Sequence, residues 1–404
     1  MQNHHDARSV NTAAGGKGVL VFSTLVLCVS FGEVATGLVV PALPTLGAIF
    51  DRPPEAVQLV LVSFAVTFAI GQLFFGSFSD RHGRRITLLI GAALTIIGSA
   101  LSALAETFWL VVLGRAIQGL GAASGIVVSR AMVRDIYGAE GASKALAVLF
   151  ALMAASFLTA PLVGGALIDF ASWQAGFLFA AALGLAWLVS TLTIMPETRP
   201  RTSAPEREPG YAVYLGLFRH RDFLAYMLPH SLGYAGIYAF VAGAPFLFID
   251  SFGMSPTRFG LIAAMIMAGF LVGSSAARIA IPRWGMSRVI QASLVIMLAA
   301  PGLIVGLALL NWLPVSVLLV IQFIYWFGAG FLAPNTVAGV MMSHPAAAGA
   351  AAALLGFIQL CAAAAVSLLQ GVMYNGSLYP MIGTQLLLGF AAWLAWRRLA
   401  RYTA

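Results

Sequence analysis

Charged residues are scarce in this chain: only 9% of its 404 residues are Asp, Glu, Lys or Arg, whereas 60% are hydrophobic. Soluble domains carry roughly 25% charged residues. So few charged side chains do not suffice to cover a globular surface, and lipid must act as much of the solvent. The composition therefore excludes an ordinary soluble protein and predicts a protein embedded in a membrane.

Cysteine is nearly absent, and Cys28 and Cys361 both fall within apolar segments, where small apolar packing residues are expected. The polar segment 1–18 lacks the charged-then-apolar layout and cleavage site of a secretory signal, so the first span is expected to be retained. The chain also lacks a metal-binding spacing, a nucleophile elbow, a phosphate-binding loop and an HExxH motif. We therefore predict no metal, no cofactor, no enzyme activity and no ATP-driven pump.

Twelve apolar segments alternate with polar breaks, and each is long enough to cross a bilayer as a helix of about 20 residues. The predicted spans are 18–42, 56–79, 86–105, 108–134, 141–169, 174–195, 222–249, 257–281, 286–309, 312–341, 348–373 and 378–397. The break after Met195 is rich in Glu, Arg, Pro and Ser. The predicted order is a cytoplasmic tail (1–17), a six-helix bundle (18–195), a cytoplasmic linker (196–221), a second six-helix bundle (222–397) and a cytoplasmic tail (398–404).

The net charge of +8 is distributed in a way that excludes a nucleic-acid-binding protein. All but three of the 22 Lys and Arg residues fall in the tails, in alternate loops or at adjacent span ends, the exceptions being Arg52, Arg115 and Arg258. This is the positive-inside pattern, which predicts that both termini are cytoplasmic. A nucleic-acid-binding surface would instead gather the basic residues on one solvated face.

The two halves of the chain carry a weak internal repeat. Three residues recur 202 positions later: Gly71, Arg81 and Gly83 match Gly273, Arg283 and Gly285. The second copy is degenerate, because Asp80 is replaced by Pro282. Parallel halves with such weak symmetry are typical of secondary transporters.

Four short segments together resemble the major facilitator superfamily (MFS) of transporters. Segment 76–85, GSFSDRHGRR, matches the loop Gly-X-X-X-Asp-Arg-X-Gly-Arg-Arg of that family, and segment 115–123, RAIQGLGAA, matches its fourth-helix pattern Arg-X-X-Gln-Gly. Segment 160–165, APLVGG, resembles the fifth-helix element of antiporters, with Ala160 in place of the first glycine. Segment 196–198, PET, is similar to the end of the sixth helix in drug exporters. Nearly the whole chain resembles drug exporters of the bicyclomycin/chloramphenicol-resistance type.

This resemblance implies an all-α membrane protein with the MFS fold, in which twelve transmembrane helices form two six-helix bundles. It implies export of small amphipathic compounds in exchange for protons, by alternating access, in a bacterial inner membrane. The expected partners are small-molecule substrates, protons and lipid, and a monomer is expected. Two alternatives stay open: an exporter of a physiological metabolite, peptide or siderophore, and a membrane-embedded enzyme or receptor on a carrier fold.

Glu33 and Arg115 are charged residues placed deep within apolar spans. A charge at such depth costs at least about 2.5 to 3.5 kcal/mol on insertion scales, so it usually has a partner and a function. At 1.5 Å per residue, Glu33 lies about 13 Å and Arg115 about 11 Å below the predicted outer surface. A carboxyl group exposed to the opposing effects of burial and a nearby arginine can exchange protons near neutral pH. We hypothesise that Glu33 carries the coupling proton; the alternative is a static pair that holds two helices together.

The residues predicted to form a cytoplasmic latch are Gly76, Asp80, Arg81, Gly83, Arg84, Arg85 and Asp135. Asp80 can accept hydrogen bonds from the backbone or from arginine, and charge-assisted bonds are the stronger ones. The arginines can reach Asp135 or Glu140 at the end of the fourth helix. Such a network would hold the inner side of the two bundles shut while the outer side is open. The alternative is that the arginines only anchor the loop in the cytoplasm.

Aromatic and polar residues inside the spans are candidates for the wall of a substrate cavity, because ligand pockets are mainly apolar with a few polar points. They are Phe31, Gln118, His230, Tyr234, Tyr238, Phe323, Tyr325, Trp326, Asn335, Phe357 and Gln359. Packing in the core or against lipid is the alternative for each. Gln118 shares a helix face with Arg115 and could orient it or contact substrate; the alternative is a plain hydrogen bond between helices. His230 could be a second titrating group or a packed, hydrogen-bonded residue.

Pro161, Gly164 and Gly165 form a run of small or helix-bending residues in the fifth helix. Small residues let membrane helices approach closely, and proline lets them bend. We predict that this run lies at an interface between helices that must move.

Overall fold

A computed structural model describes residues 16–199, 211–344 and 348–402, apart from the side chains of residues 139, 140, 211 and 212. Within these ranges the chain is almost entirely helical and forms no strand. Twelve long helices, labelled α1 to α12 in chain order, are Gly16–Val39, Leu59–His82, Arg84–Ala103, Phe108–Gly138, Gly141–Phe170, Trp173–Thr193, Arg221–Pro245, Pro256–Trp284, Met286–Leu309, Val315–Ser343, Ala348–Met373 and Tyr379–Leu399. Gly138 has a non-helical backbone with φ 64°, and this break separates α4 from α5.

Eleven helices in the described ranges, α1 to α11, are long and apolar enough to cross a membrane. The twelfth predicted crossing is α12, which carries the buried polar residues Thr384 and Gln385. Gln385 accepts a hydrogen bond of 2.9 Å from Gln322 of α10, so these amides are satisfied inside the protein rather than exposed to lipid. The predicted all-α membrane fold is confirmed.

The helices form two halves, α1–α6 and α7–α12. In the first half α4 packs on α2 and α3, and in the second half α10 packs on α8 and α9. Across the interface α2 contacts α11 and α5 contacts α8. We call the end at which α1 begins the inner end, and the opposite end the outer end. The charge pattern predicts that the inner end faces the cytoplasm.

The internal repeat in the sequence has a counterpart in the backbone. Gly83 (φ 105°) separates α2 from α3, and Gly285 (φ 77°) separates α8 from α9. A side chain is strained at such positive φ, which explains glycine at both turns. A Cβ on Gly71 would collide with α4, and a Cβ on Gly273 would collide with α10. The repeated glycines therefore mark the same turn and the same close helix crossing in each half.

Candidate functional site

Arg115 of α4 is fully buried and is bonded mainly to backbone oxygens. Its Nε donates to the carbonyl oxygen of Val60 at 3.1 Å, and its Nη1 donates to that of Ala35 at 3.1 Å. Nη1 also donates to Oε1 of Gln118 at 2.5 Å. The guanidinium lies 4.2 Å from the centre of the Phe64 ring. Arg115 therefore joins α1, α2 and α4 within the first half.

Gln118 fixes the position of Arg115 from the same helix. Its Nε2 donates to Oγ of Ser99 on α3 at 2.7 Å while its oxygen accepts from the guanidinium. Both polar ends of this fully buried side chain are thus used inside the first half. Gln118 thus contacts Arg115 and also forms a hydrogen bond between helices, so its orienting role stays a prediction.

Glu33 of α1 borders a cavity of about 10 Å³, which is room for roughly one water molecule. The cavity lies between the halves and its walls come from α1, α2, α7 and α11: Gly32, Glu33, Thr36, Phe64, Ala65, Phe68, Tyr234, Tyr238 and Leu360. Among the described residues the Glu33 carboxylate makes no hydrogen bond or ion pair. The static ion pair with Arg115 is not formed, because Arg115 directs its donors to backbone oxygens and to Gln118.

Two tyrosines of α7 bring the second half to this cavity. The rings of Tyr234 and Tyr238 lie 5.2 Å apart. Both tyrosines line the same cavity as Glu33. The second half therefore contributes two hydroxyl-bearing rings to the wall of the cavity that holds the carboxylate of the first half.

Sequence analysis missed the aromatic wall that faces these tyrosines. Phe64 and Phe68 of α2 are stacked with their rings 5.6 Å apart and 18° from parallel. Phe64 and Phe68 are four residues apart and so share a helix face, as Tyr234 and Tyr238 do. Leu360 of α11 completes the wall and belongs to the apolar cluster of the first half, although it lies in the second half of the chain.

Several other candidates for the cavity wall lie away from this cavity. Phe31 is buried against Trp187, with the rings 5.8 Å apart, in the core of the first half. Trp326 of α10 packs on Phe157 of α5, with the rings 6.2 Å apart, and so fills the interface between the halves. Phe323 and Phe357 are half-buried. Tyr325 is buried, and its hydroxyl has no hydrogen-bond partner in the part of the chain that is described.

His230 is hydrogen-bonded on both sides inside the second half. Its Nδ1 lies 2.8 Å from Oγ1 of Thr336 on α10, and its Nε2 lies 2.6 Å from Oε1 of Gln359 on α11. The three side chains join α7, α10 and α11. Nearby, Asn335 donates to the carbonyl oxygen of Phe331 at 2.8 Å within α10.

The small residues of α5 lie where α5 crosses α1 and α8. A Cβ on Gly164 would collide with α1, and a Cβ on Gly165 would collide with the start of α8. A Cβ on Gly260 of α8 would likewise collide with the carbonyl oxygen of Pro161. The predicted run therefore contacts both its own half and the opposite half.

Two hydrogen bonds also join the halves at the outer end. Gln58 at the start of α2 donates through Nε2 to the carbonyl oxygen of Ala242 at 2.9 Å. Asp169 at the end of α5 accepts from the backbone N–H of Thr257 at 2.9 Å, in the first turn of α8. These bonds and the α5–α8 crossing close the outer end.

The basic turn between α2 and α3 forms a network within the first half. Arg84 makes ion pairs with Asp80 and with Asp135 of α4, the second at 3.3 Å from Nε to Oδ2. Arg84 Nη1 also donates to Oγ of Ser79 at 2.7 Å. The side chain of Glu140 lies outside the described residues. The described bonds of this network fasten the turn to its own half, and the predicted contact with the second half stays a prediction.

Glu197 completes this network, and sequence analysis did not select it. Its carboxylate accepts the backbone N–H groups of Arg84 at 2.9 Å and of Arg85 at 3.1 Å, at the N-terminus of α3. A Cβ on Gly83 would lie 2.6 Å from this carboxylate, whereas a Cβ on Gly76 would have ordinary van der Waals contacts. The PET segment after α6 is therefore the cap of α3.

The two residues after Glu197 are also bonded to the first half. Thr198 donates to Oδ2 of Asp135 at 3.1 Å, and Nη1 of Arg199 donates to the carbonyl oxygen of Arg81 at 2.6 Å. Arg85 reaches back to the carbonyl oxygen of Leu192 at 2.6 Å. The chain that leaves α6 is thus held against the turn between α2 and α3.

A twelve-helix fold in two related halves, with a carboxylate at a cavity between them, is the architecture of a membrane carrier. The chain belongs to the Major Facilitator Superfamily, whose sequence model matches residues 25–370. The family identifies it as a transporter in a membrane setting, with small molecules as substrates.

Curated relatives match most of the chain. Multidrug resistance protein D of Escherichia coli is 30% identical over 95% of this chain and 96% of its own length. The bicyclomycin resistance protein homolog of Haemophilus influenzae is 28% identical, with coverage of 91% and 92%. The chloramphenicol resistance protein of Pseudomonas aeruginosa is 28% identical, with coverage of 84% and 77%.

Solved structures support the fold. A D-xylose-proton symporter superposes with a TM-score of 0.76 at 17% identity, over 93% of this chain and 97% of the other. An inward-facing bacterial homolog of the lysosomal transporter Spinster superposes with a TM-score of 0.74 at 15% identity, over 96% and 98%.

Proposed function

We propose that this protein exports small amphipathic compounds, including antibiotics, in exchange for protons by alternating access. The observation that carries the proposal is the position of Glu33 at a cavity shared by both halves, without a hydrogen bond or ion pair from the described residues. An acid in such a place can bind a proton when the cavity opens to one side and release it on the other. The names of the relatives, which include multidrug, bicyclomycin and chloramphenicol resistance proteins, favour drugs as the cargo.

The closed outer end supports an alternating mechanism. The contacts that close it include close backbone crossings and two hydrogen bonds between α2 or α5 and helices of the second half. Residues 40–46 add apolar packing against the second half, so opening of the outer end must also separate these apolar contacts. We infer that the protein works as a monomer in a bacterial cytoplasmic membrane, with both termini cytoplasmic and no cofactor, and that the proton gradient supplies the energy.

The test is transport by the purified protein in sealed liposomes. A panel of labelled compounds that includes chloramphenicol and bicyclomycin is loaded, a pH gradient is imposed, and both drug movement and proton movement are recorded. We expect drug and protons to move in opposite directions. If no compound of the panel moves with the gradient, the proposal of drug export is wrong.

Replacing Glu33 by Gln separates the role of this residue from the general proposal. We expect Glu33→Gln to abolish drug movement driven by the pH gradient, because an amide cannot bind and release a proton. Exchange of labelled for unlabelled drug should persist, since it needs no proton. Glu106→Gln, on an exposed outer loop, is the matched control and should behave like the wild type. Wild-type gradient-driven export by Glu33→Gln would show that Glu33 is not the proton carrier.

A further inference from the structure

Three side chains with metal-binding groups meet at the inner end of the second half. His220 precedes the first residue of α7, Asp222 lies in the first turn of α7, and His344 follows the last residue of α10. One potential ligand atom from each lies within 4.8 Å of the other two. The cluster is distant from the central cavity, since His220 precedes Tyr234 of that cavity by four turns of helix, about 21 Å.

The described hydrogen bonds of the cluster are to chain neighbours, and Nδ1 of His344 lies 3.1 Å from Oγ of Ser343. The rings of His220 and His344 lie 4.6 Å apart at 72°. Nδ1 of His344 lies 4.0 Å from Oδ2 of Asp222, too far for a strong hydrogen bond. Oδ1 of Asp222 accepts the backbone N–H of Phe223 at 2.9 Å, which orients the carboxylate and leaves Oδ2 directed at the imidazole. A fixed second oxygen of this kind is typical of metal-ligating carboxylates.

The two helix ends that carry the cluster are held together by packing farther along the same seam. A Cβ on Gly339 of α10 would collide with the ring of Tyr226 on α7, so the helices touch closely one turn above the cluster. The bond between His230 and Thr336 joins the same two helices higher up. The ends of α7 and α10 therefore need no large movement to bring the three ligands around one ion.

Helix electrostatics explain part of the cluster but not all of it. An acidic residue in the first turn of α7 and a histidine at the end of α10 are each favourable for the helix dipole. The helix dipole does not explain why the ring of His220 contacts the ring of His344. The intervening Arg221 points elsewhere, because its guanidinium hydrogen-bonds to the hydroxyl of Tyr402 and lies 4.9 Å from the centre of that ring. The cationic side chain is therefore turned away from the three ligands.

We propose that His220, Asp222 and His344 bind one divalent transition-metal ion of the Zn²⁺ class. Two imidazoles and one carboxylate suit such an ion, whereas Ca²⁺ and Mg²⁺ prefer oxygen ligands alone. With three protein ligands the site keeps a position for water or a fourth ligand. Zn–N distances of about 2.0 Å require the ligand atoms to approach one another by about an ångström, which the exposed His220 side chain allows.

A bound ion would join the beginning of α7 to the end of α10. These helices also supply Tyr238 to the central cavity and Trp326 to the interface between the halves. The ion is therefore expected to restrain two helices that take part in the conformational change. It also stabilises the folded protein, because it binds the native state in preference to the unfolded chain.

The test is metal binding by the full-length protein without a histidine tag. His4 and His5 are replaced by alanine in every sample, because this pair in the N-terminal tail also offers imidazoles. Equilibrium dialysis with Zn²⁺ measures affinity and stoichiometry, Co²⁺ absorption reports the ligand geometry, and the thermal midpoint is recorded with and without Zn²⁺. We expect one ion per chain and a raised midpoint.

His344→Ala and Asp222→Asn should each weaken Zn²⁺ binding by at least about tenfold and remove the metal-dependent rise in the midpoint. His220→Ala, at an exposed position, serves as the variant least able to disturb folding. His82→Ala is the matched control, because His82 is an exposed histidine stacked on Phe78 outside the cluster. Equal Zn²⁺ affinity in the parent and in His220→Ala, or equal weakening by His82→Ala, would overturn the proposal.

Discussion

Arg115 contacts the backbone of α1 near Glu33, although the two side chains do not form an ion pair. Arg115 donates to the carbonyl oxygen of Ala35, two residues after Glu33 on α1, so the matching depths predicted from the sequence agree with the structure. The direction of each side chain was beyond sequence reasoning, since it depends on which backbone oxygens α1 and α2 present to α4. Nη2 of Arg115 has no hydrogen-bond partner among the described residues, which leaves one donor of a fixed cation available.

Replacing Arg115 by Lys tests the importance of this fixed guanidinium. Lysine keeps the charge but lacks the planar set of donors, so it cannot bond to Val60, Ala35 and Gln118 together. The loss of about two charge-assisted bonds should lower stability by about 3 kcal/mol, and gradient-driven export should be lost. Thermal unfolding and the liposome assay measure the two effects. Arg52→Lys, on an exposed outer loop, is the control; wild-type behaviour of Arg115→Lys would contradict the assigned role.

At the scale of helices, the hydrophobic runs predicted where the crossings lie because lipid demands long apolar segments. The turn at Gly83 was also predictable, since glycine within a charged loop is a strong local signal. The cap on α3 was not, because Glu197 lies far from Arg84 in the chain and only the fold brings them together. The cluster of His220 and His344 escaped for the same reason: no short spacing connects a residue before α7 with one after α10.

The small residues at the crossing of α1 and α5 also show that a motif in one helix does not reveal the residue opposite it in another helix. The fifth-helix element has Ala160 where the family pattern has glycine. In the structure Gly37 of α1 stands opposite, and a Cβ on Gly37 would lie 2.5 Å from the Cβ of Ala160. Gly37 on α1 leaves room for the methyl group of Ala160 on α5, so the close crossing of α1 and α5 is kept.

Glu197→Ala tests the cap of α3. The change removes an acceptor from two backbone N–H groups at a helix N-terminus, which should lower the free energy of unfolding by about 1 kcal/mol. Denaturant unfolding of the purified protein measures the loss. Glu106→Ala removes an exposed carboxylate and should change stability by less than about 0.5 kcal/mol. An equal effect of the two substitutions would argue against the cap.

At the scale of the whole molecule, the two halves are joined at the outer end by close crossings that only glycine permits. Gly165 and Gly260 lie against backbone of the opposite half, and Trp326 fills the interface nearer the centre. Closure at the outer end thus depends on the absence of side chains as much as on bonds. This dependence predicts that added volume at the crossing shifts the protein towards a state open at the outer end.

Gly260→Val tests this expectation. A valine there cannot fit against the carbonyl oxygen of Pro161, so α5 and α8 must separate. Ala65→Cys, on the cavity wall, serves as reporter in a background with Cys28→Ala and Cys361→Ala. We expect its labelling from outside by an impermeant maleimide to rise severalfold.

Gly306→Val is the matched control for Gly260→Val, because a Cβ on Gly306 has open space around it. It should leave the labelling rate of the reporter unchanged. If Gly260→Val folds, as judged by its thermal midpoint, and the reporter reacts no faster than in the control, the crossing does not govern closure.

The bonds made by Glu197, Thr198 and Arg199 have a further consequence for the connection between the halves. Because these residues are bonded to the first half, the connection between the halves is held to the first half as far as Arg199. Residues inserted beyond Arg199 would lengthen the connection and leave these bonds intact. The same insertion just after Met195 would displace Glu197 from the N-terminus of α3. It should therefore destabilise the protein more than an insertion after Arg199.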